Sequence, residues 1–207
     1  SAGVVDLYLW MREDGNRIDR WLLTDNTSAL SVGGDTLQFV ATTDGSATAN
    51  KYRYVAFYNP SAAGHTWAAG DVVEYDVYIT NNTFGLGGID IYNTDASYFR
   101  DTAGWADQNA ISGHPGANLA SQAFNQWYHR VLTVPGVMNG KSVDLFDMVG
   151  EFDQVNTSGT AYYDNVVIRN ASGVITDIIY ESGTTPQNVL HFNNAYTSHS
   201  ITTAPAP

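Results

Sequence analysis

The chain contains no cysteine, which excludes disulfide bonds and thiolate metal sites as sources of stability. Basic side chains are scarce as well, with 9 Lys and Arg against 21 Asp and Glu, for a net charge of -12. Because a phosphate backbone is bound through a basic patch, nucleic acid is not expected as a partner. No run approaches the roughly 20 apolar residues of a membrane-spanning helix, so no membrane partner is expected either.

What the chain does have favours strands. Its 207 residues include 5 Trp, 13 Tyr, 8 Phe and 19 Gly, whereas helix-forming segments are few. Aromatic residues suit pleated, half-buried strands, and glycines suit the turns between them. All-β sandwiches of about 200 residues commonly form one domain. We therefore expect one domain over residues 1–201, followed by a Thr/Pro tail or linker over residues 202–207.

Alternation of apolar and polar residues recurs along the chain. Val73, Tyr75, Val77 and Ile79 share one face of a strand, and Leu37, Phe39 and Ala41 share one face of another. Further strands are predicted over residues 4–10, 18–23, 52–58, 88–92, 127–134, 142–149, 161–169 and 174–180. Turn signals such as Asn139-Gly140 separate most of them. The pattern predicts an all-β fold, an antiparallel β-sandwich of jelly-roll type.

Residues 93–126 break this rhythm, because they are rich in aromatic residues yet show no sustained strand pattern. A long loop of this kind is usually functional, which makes it the predicted recognition loop. Trp105 offers a ring on which the apolar face of a sugar could stack, and nearby polar side chains could bind its hydroxyls. The candidate ligand residues of the loop are Tyr98, Trp105, Asp107, Gln108, Asn109 and His114. The alternative is that Trp105 folds back to cover a sheet edge.

A second candidate surface is the polar face of the strand that contains Glu74 and Asp76, which Arg53 or Arg130 could meet from neighbouring strands. The same residues also suit a solvated face with cross-strand ion pairs. The Glu-x-Asp spacing resembles that of jelly-roll endoglucanases, but the position of their third carboxylate holds Tyr78 or Ile79 here. The motif is incomplete, so no catalytic residue is assigned.

The strand at residues 160–169 carries a lone carboxylate, Asp164, which alternation places on the side of Tyr162, Val166 and Ile168. A buried carboxylate needs compensation, and a hard cation is one solution. A hydrogen bond to a neighbouring strand is the alternative. Because the chain lacks cysteine, calcium is favoured over zinc.

The order of these motifs resembles the jelly-roll carbohydrate-binding modules of bacterial polysaccharide-degrading enzymes. The resemblance rests on Gly33–Phe39, on the strand at residues 72–80, on Gln126–Pro135 and on Gly159–Val166. It implies a structural calcium ion held by Asp164, Asp35 and an acidic residue near the N-terminus, for which Asp6 is the best-placed candidate. The N-terminal Glu usual in such modules is not evident.

The resemblance also implies a function. It is that of a secreted, monomeric, non-catalytic module that targets a linked enzyme to a polysaccharide or oligosaccharide. Because the chain is acidic, neutral or lightly charged glycans are expected. Two alternatives stay open: a polysaccharide-active hydrolase or lyase, and a calcium-stabilised adhesion module.

Overall fold

A computed structural model describes residues 34–43, 51–58, 60, 64–80, 85–114, 124–152, 156–182, 190–192 and 196–205. The strands predicted over residues 4–10 and 18–23, and the candidate calcium ligand Asp6, lie outside these ranges.

The described residues form ten strands. In chain order they are β1 Asp35–Thr42, β2 Lys51–Tyr58, β3 Val72–Ile79, β4 Gly85–Asn93, β5 Trp127–Thr133, β6 Val143–Phe152, β7 Ser158–Arg169, β8 Ile175–Tyr180, β9 Leu190–Phe192 and β10 Thr197–Thr203. Helical geometry within these ranges is limited to one 3-10 turn at Gly136–Met138. No described helix is long and apolar enough to cross a membrane.

The strands pair into two antiparallel sheets. The six-stranded sheet has the order β10-β1-β7-β3-β5, with β8 also paired to β7, and the four-stranded sheet has the order β4-β6-β2-β9. The all-β class and the antiparallel β-sandwich predicted from alternation are confirmed. The jelly-roll topology stays a prediction.

The core lies between the sheets and is built from the apolar side of each alternating strand. Val73, Val77 and Ile79 of β3 are buried as predicted. Two tyrosines of the six-stranded sheet cross the core. Tyr75 donates to the carbonyl of Gly87 at 3.0 Å and Tyr163 to that of Gly88 at 2.9 Å. Because both acceptors lie in β4, these hydrogen bonds fix that strand against the opposite sheet.

Strand β7 departs from strict alternation. The pairing of β7 with β3 shifts between Glu74 and Asp76, and Asn165 has a positive φ of 52°. A bulge adds a residue to one strand and reverses the facing of all that follow. Val166 and Ile168 therefore lie in the core, on the side opposite to Tyr162. The predicted common face of these residues is wrong, since local alternation cannot reveal a bulge.

The C-terminal part contains two further strands. β10 pairs with β1 along its length, and β9 pairs with β2 at the edge of the four-stranded sheet. β10 extends to Thr203, two residues into the predicted tail, and the carbonyl of Pro205 accepts a hydrogen bond from Trp127 Nε1 at 3.1 Å.

Candidate functional site

We call the side of the four-stranded sheet that faces away from the core the open face. It carries most of the half-buried tyrosines of that sheet. Side chains alternate between the two faces of a strand. Val55 and Phe57 of β2 and Phe146 and Met148 of β6 point into the core, so the residues between them point away from it. The open face then comprises Tyr52, Tyr54 and Ala56 of β2, Gly88, Asp90 and Tyr92 of β4, and Leu145, Asp147, Val149 and Glu151 of β6. Tyr58 follows a bulge and packs on the core side against Phe146, with ring centroids 5.7 Å apart.

A cavity of about 390 Å³ opens on this face and is lined by Tyr54, Tyr92, Leu145 and Asp147. The strand register explains the grouping, because Tyr92 lies opposite Leu145 across the β4–β6 pair. Pockets that bind small ligands commonly have volumes of about 300–1,000 Å³ and combine apolar or aromatic walls with a few polar groups. This cavity fits that description, with one carboxyl group among those lining residues that the structure describes.

The carboxyl group at the cavity has a second one beside it. Asp147 lies directly opposite Asp90 in the register of β6 and β4, and the two residues are 1% and 0% exposed. Residues paired in this way have Cβ atoms about 4.5–5.5 Å apart. Burial raises the pKa of Asp90 to about 6, and burial together with the neighbouring Asp90 charge raises the pKa of Asp147 well above its usual range.

The two carboxyl groups are only partly satisfied. Asp90 Oδ1 accepts the backbone N–H groups of Ile91 and Arg100, both at 2.9 Å. Among the described residues, no hydrogen-bond donor meets Asp90 Oδ2 or Asp147 Oδ1. Unsatisfied buried carboxyl oxygens are costly, and native structures contain few of them. We call Asp90 and Asp147 the acid pair.

Arg100 separates this cavity from a second one. Its guanidinium group donates from Nη1 to the Tyr54 hydroxyl and from Nη2 to Asp101 Oδ2 at 2.7 Å, and it lies over the ring of Tyr52 at 5.0 Å. The hydrogen bond with Arg100 lowers the pKa of Asp101. The second cavity, of about 490 Å³, is lined by residues 100–106, 110, 112 and 114.

The predicted recognition loop lies beside this second cavity, but its central aromatic side chain points inward. Trp105 is 3% exposed and packs against the buried Phe99 with ring centroids 4.9 Å apart. Asp107 is also buried and accepts from Arg130 Nε at 2.9 Å. Trp105 is thus folded back and buried against the core, and Asp107 has a structural partner.

The other candidates of the loop fall into two groups. Gln108 is exposed, and its amide bonds the backbone of β5, donating to the His129 carbonyl at 2.7 Å and accepting from the Val131 N–H at 2.8 Å. Asn109 is exposed in the neighbouring turn. Tyr98 and His114 instead lie towards the open face.

Tyr98 is 37% exposed and lies against Tyr92, with ring centroids 5.6 Å apart. His114 lies between Asp101, at 3.2 Å, and Glu151, at 3.4 Å. Tyr98 and His114 are therefore the two predicted ligand residues that the fold brings to the open face.

The second predicted surface is occupied by internal pairs. Glu74 accepts from Arg169 Nε at 2.5 Å and from Nη2 at 3.2 Å. Asp76 accepts from His129 Nδ1 at 2.9 Å and from Asn165 Nδ2 at 2.7 Å. The hydrogen bond with Asp76 raises the pKa of His129.

Neither predicted arginine meets Glu74. Arg53 belongs to the four-stranded sheet, where it donates to the carbonyls of Thr42 and Tyr52, each at 2.9 Å. Arg130 is opposite Tyr75 in the register and donates to its hydroxyl at 2.9 Å, on the core side. His129 and Arg130 point to opposite sides of β5, as adjacent residues of a strand do.

Two of the three predicted calcium ligands lie near each other. Asp164 is fully buried, and the Tyr180 hydroxyl beside it donates to the backbone carbonyl of Asp35 at 3.1 Å. The pKa of Tyr180 is raised, first by burial and then by the charges of Asp164 and Asp35. The described residues contain no group of three or more His, Asp or Glu side chains arranged to hold a metal ion.

Sequence reasoning missed the acid pair. Its signal is a single Asp inside an otherwise apolar strand segment, in Gly-Gly-Ile-Asp90-Ile-Tyr and in Leu-Phe-Asp147-Met-Val. Such an Asp is unexpected in a strand interior. Only the register between β4 and β6 reveals that the two residues are neighbours.

None of the protein-family models matches this chain, and no curated protein matches it.

Proposed function

We propose that this chain is a non-catalytic carbohydrate-binding module and that its glycan site is the open face of the four-stranded sheet. The observation that carries the proposal is the cavity lined by Tyr54, Tyr92, Leu145 and Asp147. Sugar rings stack their C–H faces on aromatic rings, while their hydroxyl groups need planar polar partners.

The surroundings of the cavity support the same function. Tyr52 and Tyr98 lie under the Arg100 guanidinium group, at 5.0 and 5.4 Å from its central carbon, and extend the aromatic surface beyond the cavity. The second cavity continues it past Arg100, which suits a ligand of several sugar units. Hydroxyl partners are available from Asp101 and His114.

The proposal keeps the wider role implied by the resemblance. The module would act outside the cell, as a monomer linked to a polysaccharide-degrading enzyme, and would hold that enzyme on its substrate. Glu74 and Asp76 support the non-catalytic assignment, because Arg169, His129 and Asn165 already engage their carboxylates.

Affinity gel electrophoresis over a panel of neutral and acidic polysaccharides tests the site. Tyr92→Ala should weaken binding of a retained glycan by about tenfold or more, which corresponds to about 1.4 kcal/mol. Tyr162→Ala is the matched control, since Tyr162 is a half-buried tyrosine of the six-stranded sheet whose hydroxyl accepts from Gln38.

Three outcomes would contradict the proposal. No glycan of the panel retards the protein, or Tyr162→Ala weakens binding as much as Tyr92→Ala does, or the protein releases reducing ends from a glycan. The first would favour an adhesion role, the second would move the site to the other sheet, and the third would make the chain an enzyme.

We also propose a structural calcium ion at Asp164 and the neighbouring Asp35. The support is the closeness of both residues to Tyr180 and the preference of calcium for carboxylate and carbonyl oxygens.

A chelator should lower the midpoint of thermal unfolding, and added calcium should restore it. The shift should disappear in Asp164→Asn and persist in Asp144→Asn, an exposed position of β6 with the same change in charge. Equal midpoints with and without chelator would refute the calcium site.

A further inference from the structure

Among the described residues, no cationic group is hydrogen-bonded to a carboxylate oxygen of the acid pair. Asp90 and Asp147 are almost completely buried, and in the described part of the chain no donor reaches Asp90 Oδ2 or Asp147 Oδ1. Asp147 is also a lining residue of the 390 Å³ cavity, so its side chain faces the space a ligand would occupy. A buried carboxylate is stabilised when a cation pairs with it.

The charged groups around the acid pair do not provide that cation. Arg100 is the nearest basic side chain, and its charge partly opposes the rise in the pKa of Asp90 that burial causes. Its guanidinium group is hydrogen-bonded to Asp101 and to Tyr54, however, and Arg100 bonds Asp90 only through its backbone N–H. Beyond it, His114 lies between Asp101 and Glu151. On the β2 side the neighbour of Asp147 in the register is Ala56, which carries no charge.

A divalent metal ion fits this place poorly. Calcium takes six to eight oxygen ligands, and magnesium takes six in octahedral geometry. The described residues provide no third carboxylate or imidazole grouped with Asp90 and Asp147. Tyr54 and Tyr92 line the remaining walls, and their rings are better partners for an organic cation than for a metal ion.

An alkylammonium group meets these conditions. It has three N–H donors and one positive charge, so it can bond two carboxylate oxygens, and its charge is attracted by tyrosine ring faces. The net charge of -12 raises the local concentration of cations at the protein surface. An acetamido or hydroxyl group in the same place would bring donors but no charge.

We propose that the open-face cavity selects amino sugars with an unacetylated, protonated amine, and that Asp147 and Asp90 bind this ammonium group. This inference rests on the proposed glycan site and names the class of sugar that the site prefers. It adds a specificity-determining pair to the aromatic surface around Tyr54 and Tyr92.

Isothermal titration calorimetry with two oligosaccharides of equal length tests the inference. The probes are a glucosamine hexamer and an N-acetylglucosamine hexamer, compared at about pH 6, where the amine carries its charge. The glucosamine hexamer should bind at least about tenfold more tightly. Asp147→Asn and Asp90→Asn should abolish this preference, so that each variant binds the two hexamers with similar affinity.

Asp144→Asn is the matched control, because it removes the same charge from an exposed position of β6 and should keep the preference. Thermal unfolding of each variant checks that it is folded.

A second readout is proton release. Burial holds the pKa of Asp90 at about 6, so an ammonium ligand should displace protons, and the measured binding heat should depend on the ionisation heat of the buffer.

The possible outcomes distinguish a failure of the amino-sugar inference from a failure of the proposed glycan binding. Equal binding of both hexamers by the wild type, or a preference that survives in both Asp147→Asn and Asp90→Asn, would overturn the amino-sugar inference and leave glycan binding intact. Binding of neither hexamer would overturn it too, and retention by another polysaccharide of the panel would then decide the proposed function independently.

Discussion

Two buried carboxylates of each sheet, Glu74 and Asp76 on the six-stranded one and the acid pair on the four-stranded one, differ in what they bond. On the six-stranded sheet Glu74 is paired with Arg169, and Asp76 with His129 and Asn165. On the four-stranded sheet the acid pair lies side by side, and no described cation is bonded to either carboxylate group. The carboxylates of the six-stranded sheet are satisfied within the protein, whereas the acid pair beside the cavity is the feature on which the proposed ligand preference depends.

The largest expected effect concerns a paired charge. Arg130 is 1% exposed and bonds the Asp107 carboxylate, the Tyr75 hydroxyl and the carbonyls of Ile111 and Ser112. Arg130→Met should lower the free energy of unfolding by about 3–5 kcal/mol, because it leaves a buried carboxylate without its cation. Denaturant titration followed by tryptophan fluorescence measures the loss.

The double variant Arg130→Met/Asp107→Asn should recover part of that stability. In the wild type, the N–H groups of Asn109 and Ile111 donate to Asp107 Oδ1. The amide oxygen of an asparagine at this position can still accept both hydrogen bonds. If Arg130→Met alone costs less than about 1 kcal/mol, the pair behaves like a surface salt bridge and the structural role is refuted.

Substitutions in the acid pair should change the free energy of unfolding in the opposite direction. Asp147→Asn should raise the free energy of unfolding at pH 7 by about 1–3 kcal/mol, since it removes one of two adjacent buried charges. Asp90→Asn should act similarly, because an asparagine side chain at that position can still accept from the N–H groups of Ile91 and Arg100. A loss of stability at pH 7 in both variants would show that the pair is structural.

The pH dependence follows from the direction of the pKa changes. A carboxyl group whose pKa is higher in the folded state favours folding while it is protonated, and this contribution is lost as pH rises above the unfolded value. For Asp90 the unfolded value is 3.8 and the folded value about 6, so about 3 kcal/mol should be lost between about pH 4 and pH 7. Asp90→Asn should flatten that part of the stability profile, which denaturant titration at several pH values will show.

The comparison between the sheets also shows what the sequence could predict. Alternation at Val73, Val77 and Ile79 located β3 and its buried face, because side-chain facing in a strand depends on neighbours two residues away. The bulge at Asn165 and the pairing of Asp90 with Asp147 depend on how distant strands align. That alignment is a property of the packed sheets, and no local pattern contains it.

The same limit applied to the predicted ligand residues. Trp105 and its polar neighbours have a suitable composition for sugar binding, but the composition does not say which way the ring turns. Packing against Phe99 decides that, and it buries the Trp105 ring. Tyr98, which the same reasoning selected, is exposed because it follows the turn after β4 and lies over Tyr92.

A smaller effect is expected at His129. Its hydrogen bond with Asp76 raises its pKa, so the contribution to stability is complete below the unfolded value of 6.5 and is lost as pH rises through the folded value. His129→Asn should cost about 1 kcal/mol near pH 6 and less near pH 9. Denaturant titration at both pH values measures this difference. A cost that is the same at both would mean that packing, and not the charge, explains the contribution.

The smallest effect should come from Trp105→Phe. This variant tests whether the loop or the open face binds the glycan. Among the described residues, no acceptor meets the Trp105 indole N–H, so replacing the indole removes an unsatisfied buried donor along with some packing. The free energy of unfolding should change by less than about 1 kcal/mol, and glycan affinity should stay within about twofold of the wild type. Calorimetry with the glycan that Tyr92→Ala weakens is the measurement. If Trp105→Phe weakens that binding as strongly as Tyr92→Ala does, then recognition depends on the loop, and the open face is a neighbour of the site instead of the site itself.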